Sequence, residues 1–383
     1  RVAICRDLRT VLEGRKRSKW MRTRSILSAA LGALFGLNAC TQTPVSESCT
    51  TRMSDLQTIG SHNSYKLAIP DDELALLSAT SPEWGAALDY GHVSLSEQLN
   101  LGMRQLELDV FYDPEGGRYA DPLLPKLVGT SYEKKVLDLP GFKVLHVQDV
   151  DPRSSCSVFK ACLAEIRGWM RRNPDHAPIL ILINAKQATI QVPGSVNPLP
   201  FDVNAFDALD AEIRSMFPGS GTLLTPDAVR GDYPTLREAI ATEGWPSLDQ
   251  AWGKVFFALD EPADVVDVYR RGETTLRGHA MFVNSGDPAA DDTAYFTIND
   301  PIQQGDVIAQ RVDAGFIVRT RADANTVEAR TGDRTRLDAA LASGAQYIST
   351  DYYRPRREWS DYVAELPGKE TIRANPRSTC AFQ

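Results

Sequence analysis

Eight short apolar runs, separated by stretches of helical periodicity, restrict what this chain can fold into more than any other feature. They are Leu56 to Ile59, Gln105 to Val110, Lys143 to His146, Ile179 to Asn184, Val255 to Leu259, Ala280 to Val283, Gly315 to Arg319 and Gln346 to Thr350. Most are continuous rather than alternating, the pattern of strands covered on both faces of a parallel sheet. Between them, apolar residues recur at helical spacing over Leu95 to Leu101, Cys156 to Arg172, Asn204 to Met216, Leu236 to Ala241, Ala263 to Tyr269, Val307 to Ala314 and Thr335 to Ala342. Strand and helix alternating to a count of eight imply an α/β protein built as a (β/α)8 TIM barrel, with room for irregular repeats. An open doubly wound sheet is the competing layout, but it lacks the Gly-rich phosphate loop expected after its first strand.

Three insertions interrupt the pattern: Leu67 to Gly91, Pro114 to Phe142 and Gln187 to Asp202. They read as long Pro/Gly-rich loops, of the kind that shapes access to the C-terminal face of a barrel.

Charge is unevenly placed. Residues 1–40 hold nine Lys and Arg against Asp7 and Glu13, leaving 33 basic and 48 acidic residues, a formal −15, on the remainder. So acidic a body repels phosphate backbones and argues against nucleic acid as a partner. Met21-Arg22-Thr23-Arg24 followed by apolar Ile26 to Leu37 reads as an export signal starting at Met21, too short to span a bilayer. It ends Leu37-Asn38-Ala39-Cys40, which resembles a lipoprotein box despite Asn38, so cleavage before a lipidated Cys40 and ordinary signal cleavage both stand. The expected organisation is a leader over 1–40 and a single barrel domain over 41–383, secreted or held at the outer envelope. Beyond Cys5 and Cys40, four cysteines remain, Cys49, Cys156, Cys162 and Cys380. In an exported chain four cysteines allow three pairings; Cys156 with Cys162 closes a small loop before a helix, and Cys49 with Cys380 ties the termini together.

Glu107-Leu108-Asp109 lies within the second run. On a strand, side chains alternate with period two, so both carboxylates face one way and can grip a divalent cation. Alone, such a pair is more often a solvated strand face. Here Ser61-His62-Asn63-Ser64-Tyr65 follows the first run and His146 ends the third, the end of a parallel barrel where chemistry is placed. A hard cation flanked by two imidazoles suits phosphodiester cleavage, since the cation offsets charge on the phosphate oxygens and imidazole titrates near neutrality.

Thr58 to Tyr65, Leu101 to Asp109, Val144 to His146, Pro178 to Lys186 and Ala345 to Tyr352, the last ending Ser349-Thr350-Asp351-Tyr352, together resemble the calcium-dependent branch of the phosphatidylinositol-specific phospholipase C family. The likeness covers most of residues 52–355. It implies that His62 and His146 are the catalytic pair, that Asn63, Glu107 and Asp109 hold Ca2+ (Mg2+ fitting less well), and that a cyclic phosphate forms first. Metal-free relatives carry an arginine in place of the second carboxylate, so Asp109 favours metal dependence.

One departure stands out. Relatives place a carboxylate at the end of the fourth strand, where this chain has Asn184, able to ligate through a neutral oxygen but unable to act as a base. Asp260-Glu261, ending the fifth run, could supply the missing carboxylate, or simply start a helix. Lys186, Arg319, Arg321, Asp351 and Tyr353 are candidate substrate contacts, the cations for phosphate or ring hydroxyls and Tyr353 for stacking on a sugar-like ring. His92, His176 and His279 have no motif context.

The leading expectation is therefore a secreted Ca2+-dependent phosphodiesterase acting on phosphatidylinositol or a similar glycerophospholipid, monomeric, with transient contact to a membrane surface. A glycerophosphodiester phosphodiesterase is the alternative enzyme, though Asn63-Ser64 stands where Arg-Gly is usual. A non-catalytic lipid- or sugar-phosphate-binding barrel is the third reading, with Asn184 its best support.

Overall fold

The computed structural model describes residues 49–380. The expected leader, the Met21 start and Cys40 lie outside the described residues. Among the described residues there are ten strands: β1 (Leu56–Ser61), β2 (Gln105–Phe111), β3 (Lys143–Val144), β4 (Ile179–Ala185), β5 (Val255–Leu259), β6 (Met281–Val283), β7 (Tyr295–Thr297), β8 (Ile317–Arg321), β9 (Tyr347–Thr350) and β10 (Ile372–Ala374). They form two five-stranded sheets, ordered β10-β1-β9-β8-β7 and β3-β2-β4-β5-β6. Pairing is parallel except for β10 on β1 and β3 on β2.

The buried runs became strands for the reason their composition suggested. In β4, Ile179 to Ile183 are all 0% exposed, because neighbouring strands flank them and both faces are covered. Each such side chain contributes about 1.5–3 kcal/mol through burial. Helices follow the strands, as at Phe159–Arg172 and Val203–Met216, and bury their apolar stripes in one continuous core.

The sheets meet along two seams. At one, Asn284 bridges Tyr295 in parallel, joining β6 to β7. At the other, Ser64 N donates to Glu107 O (3.0 Å) and Arg104 N to Ile59 O (2.9 Å), joining β1 to β2. Gly60 makes the second seam possible, since a Cβ there would overlap the Gln105 side chain and main chain. Arg319 on β8 reaches Glu107 on β2, a contact between members of different sheets.

One run was misassigned by sequence and one strand was missed. The segment read as a parallel strand over Lys143 to His146 is a two-residue strand antiparallel to β2. Its connection folds back on β2 itself, with Gly117 N donating to Leu137 O and Gly141 N to Asp113 O. The run alone carries no direction. The remaining parallel strand is instead Tyr295–Thr297, three residues between Asp291-Asp292 and Asn299-Asp300, too short to stand out as a run. The insertion Leu67 to Gly91 is also not a plain loop: it forms helices Asp71–Thr80 and Pro82–Leu88. Acidic Asp71, Asp72 and Glu73 open the first, and Ser81 caps the second ahead of Pro82, both favourable at helix N-termini. Of the three possible pairings, the disulfides are Cys49–Cys380 and Cys156–Cys162.

Candidate active site

His62 directly follows β1, and its backbone is tied to the neighbouring strand end by His62 N donating to Thr350 O (3.1 Å). That contact brings Asp351, the next residue, under the imidazole: His62 Nδ1 lies 3.0 Å from Asp351 Oδ1. With Nδ1–H donating there, Nε2 is the accepting nitrogen, and Arg321 Nη1 approaches it at 3.3 Å. Burial, helped by Arg321 and opposed by Asp351, pushes the His62 imidazole down to about 3. It is therefore neutral at physiological pH, with the Nε2 lone pair as its acceptor. Burial would raise the Asp351 carboxyl, but His62, His92 and Arg321 around it hold it below the usual carboxylate range.

His146 lies in the bend after β3. Its Nδ1 is 2.8 Å from Asp151 Oδ2, which the Val147–Asp151 bridge folds back over it. Asp151 is also 3.2 Å from the fully buried Lys66 Nζ. Lys66 and His146 outweigh burial and hold the Asp151 carboxyl low. With Nδ1 engaged, Nε2 is the ring nitrogen without a protein partner among the described contacts.

Both imidazoles line one cleft of about 230 Å3, with Tyr90, Arg321 and Asp351 as its polar wall and Trp84, Ala87 and Leu88 from the 67–91 insertion as its apolar lip. His146 also borders a second hollow of about 420 Å3 with Asn184, Lys186, Asp260 and Glu261.

The carboxylates of β2 lie between. Glu107 is 4% exposed; its Oε2 accepts from Arg319 Nη2 (2.6 Å) and its Oε1 from Asn184 Nδ2 (3.1 Å), with His62 Nε2 at 3.6 Å. Burial pushes Glu107 up to about 7, against Arg319. Asp109, 1% exposed, sits opposite Asn184 in the β2–β4 register. Lys186 Nζ is 3.0 Å from Asp109 Oδ2, yet neither Asp109 oxygen has a hydrogen-bond partner among the described residues. Burial, with Asp109 beside it, pushes the Tyr65 phenol well above its ordinary range, but no aligned hydrogen bond joins the two.

A buried carboxylate without hydrogen bonds is expensive, and a hard cation is the natural partner for it. Among the described residues no three His, Cys, Asp or Glu side chains stand together as a ready chelate. The oxygen donors at hand are instead two carboxylates and two amides. Asn63, held at φ 46 as asparagine tolerates, donates Nδ2 to Tyr90 Oη (2.7 Å), and Asn184 donates Nδ2 to Glu107, which leaves each amide its oxygen for a cation. Those residues fit Ca2+, which takes oxygen ligands of mixed kind.

Several expected substrate contacts have other partners. Arg319 is 2% exposed and held by Glu107 and Asn299, so it neutralises Glu107 rather than meeting phosphate. Asp351 orients His62. Tyr353 stacks on His92 at 5.4 Å, with its hydroxyl 3.2 Å from His92 Nδ1, so that face is already occupied. Lys186 is paired with Asp109; of the expected contacts Arg321 and Asp351 line the cleft, and of these Arg321 is the cation placed to meet phosphate. Sequence reasoning missed Asp151, Lys66, Tyr90 and His92. His92 matters because its Nε2 meets His62 O at 2.8 Å, bracing the loop that carries the imidazole. Asp151 alone left a signal, a carboxylate five residues beyond a candidate histidine in a turn.

A family model for phosphoinositide phospholipase C, Ca2+-dependent, matches residues 51–376. Among solved structures, a calcium-dependent phosphoinositol-specific phospholipase C from the Gram-negative bacterium Pseudomonas sp. is similar with TM-score 0.54 and 16% identity, covering 85% of this chain and 95% of the other. Its myoinositol complex gives 0.53 and 15%, covering 85% and 96%. A Ca2+-dependent phosphatidylinositol-specific phospholipase C from Streptomyces antibioticus gives 0.50 and 17%, covering 79% and 95%. Identities this low speak for the fold alone. No curated protein matches.

Proposed function

Because the chain belongs to the Ca2+-dependent phosphoinositide phospholipase C family, whose activity is phosphodiester cleavage, we propose that His62 and His146 perform that cleavage on phosphatidylinositol. The observation that carries the assignment is that each imidazole is anchored through Nδ1 on its own carboxylate, Asp351 or Asp151, while both line one cleft. Two oriented imidazoles serve as general base and general acid. His62 Nε2 takes the proton of the attacking ring hydroxyl, with Arg321 beside it to meet phosphate oxygen. His146 Nε2 returns a proton to the departing glycerol oxygen. Asn63, Glu107, Asp109 and Asn184 are the residues that would hold Ca2+. When bound, the ion offsets charge on the phosphate and acidifies the attacking hydroxyl.

The eight parallel strands, the two seams and the reach of Arg319 to Glu107 across the interior support a (β/α)8 barrel of the phospholipase C type, formed by residues 41–383 as one domain. The site is complete within one chain, which supports a monomer. Membrane-surface contact is supported by Leu76, Trp84 and Leu127, all at least 39% exposed, around an apolar groove that shares Trp84 with the catalytic cleft. Among the described residues no helix is long and apolar enough to cross a membrane. The two disulfides and the apolar N-terminal stretch support an extracytoplasmic site of action. The anchoring of both imidazoles weighs against the non-catalytic reading.

Phosphorus spectra of products from phosphatidylinositol vesicles, with Ca2+ and with chelator, test the proposal. A cyclic inositol phosphate that appears only with Ca2+ is expected. Release of glycerol phosphate instead, or no turnover, refutes it.

A further inference from the structure

Glu107 and Asp109 share one face of β2, yet their charges are balanced in different ways. Arg319 is buried and gripped from two sides, by Glu107 and by Asn299, so it cannot leave. Lys186 is on a flexible stem whose side chain is 36% exposed, while the side chain of Asp109 beneath it is 2% exposed. Its ammonium stands 3.0 Å from Asp109 Oδ2 without making a hydrogen bond to either oxygen. One carboxylate thus has a fixed cation, the other a loose one.

We propose that Lys186 is a displaceable counter-ion, which neutralises the ligand Asp109 while the metal is away and withdraws when Ca2+ binds. The inference rests on the metal reading above. A ligating oxygen must lie about 2.3–2.6 Å from Ca2+. An ammonium on the same carboxylate would then face a divalent ion within a few ångströms in a poorly solvated place, where like charges repel strongly. The stem is long enough to turn, and the second hollow supplies a destination. Glu261 borders the same hollow as Lys186, with Oε1 accepting only the Ala185 N hydrogen bond (2.6 Å) among the described contacts. A lysine suits this duty better than an arginine, because a point charge on a mobile chain gives up less geometry when it leaves. The apo site thereby avoids a bare buried carboxylate, and metal affinity is reduced by the work of removing its competitor.

Calorimetric titration of Ca2+ into metal-stripped wild type, Lys186→Met and Lys186→Arg tests this, together with thermal unfolding in chelator and in saturating Ca2+. Lys186→Met should bind Ca2+ more tightly, by on the order of tenfold for loss of a partly exposed competing charge. It should also unfold at lower temperature in chelator and match wild type in Ca2+. Lys186→Arg, which is harder to displace, should bind Ca2+ no more tightly than wild type. A Met variant with a native unfolding transition but unchanged or weaker affinity overturns the proposal, and Lys186→Gln carries the same comparison if the Met variant does not fold. A wild type that binds no Ca2+ yet releases inositol phosphate overturns the metal reading and the counter-ion with it. A wild type that binds Ca2+ no more weakly than Lys186→Met overturns the counter-ion alone.

Discussion

His62 Nδ1 lies 3.0 Å from Asp351 Oδ1, although 289 positions separate the two residues in the chain. The contact exists because β1 and β9 are parallel neighbours, with Ser61 opposite Thr350, so the residues just beyond the two strand ends emerge side by side. His146 and Asp151 reach a similar pairing across five positions, through a turn. Two routes, one tertiary and one local, lead to two imidazoles each with Nδ1 occupied.

Replacing Asp351 by Asn should preserve the fold but remove the carboxylate that selects the His62 tautomer. A loss in kcat of about 100-fold to 10,000-fold is expected, in line with other histidines deprived of an orienting carboxylate. Initial rates on phosphatidylinositol vesicles within threefold of wild type would show that His62 is oriented without it.

His146→Ala should lose far more rate on a substrate with an alkoxide leaving group than on one releasing nitrophenolate. A general acid contributes on the order of 100-fold to 10,000-fold only where the departing oxygen needs its proton. Equal losses on the two substrates would remove His146 from that role.

Activity should vanish in chelator and return with Ca2+. At saturating Ca2+, Asp109→Asn should be more damaging than Lys186→Ala, because it removes an anionic ligand oxygen that the metal cannot replace. Steady-state rates in chelator-buffered Ca2+ decide the order; an indifferent Asp109→Asn enzyme would withdraw the ligand assignment.

Away from the site, Asp210 makes stability depend on pH. Burial pushes its carboxyl up to about 6, against hydrogen bonds from Ala280 N (2.9 Å) and Tyr269 Oη (2.9 Å). The unfolded value is about 3.9, so the folded state binds this proton more tightly. Its stabilising effect is full below about pH 4 and is lost as pH rises through about 6. Denaturant titrations should show Asp210→Asn gaining on wild type by roughly 2–3 kcal/mol between pH 4 and pH 7. A difference that stays flat over that range would mean Asp210 is not titrating there.

How much of this was legible before folding depends on the range of the interactions concerned. The sequence alone determined the α/β class and seven of the eight parallel strands to within a few residues, and it singled out His62, His146, Glu107 and Asp109 as candidates, because strand burial and period-two alternation are local properties. It could not assign the direction of Lys143–Val144 or reveal Tyr295–Thr297, since strand direction is set by where the chain returns and a three-residue strand carries almost no pattern. Nor could it pair charges. Arg319 looked available for phosphate until the fold carried it across the interior to Glu107, and Tyr353 looked available for a sugar ring until it met His92. Lys186 became Asp109's neighbour only when β4 was laid beside β2. Residue type states what a side chain is able to do; a buried charge must find its partner wherever the tertiary structure places one, and that choice decides which of those abilities remains free for substrate.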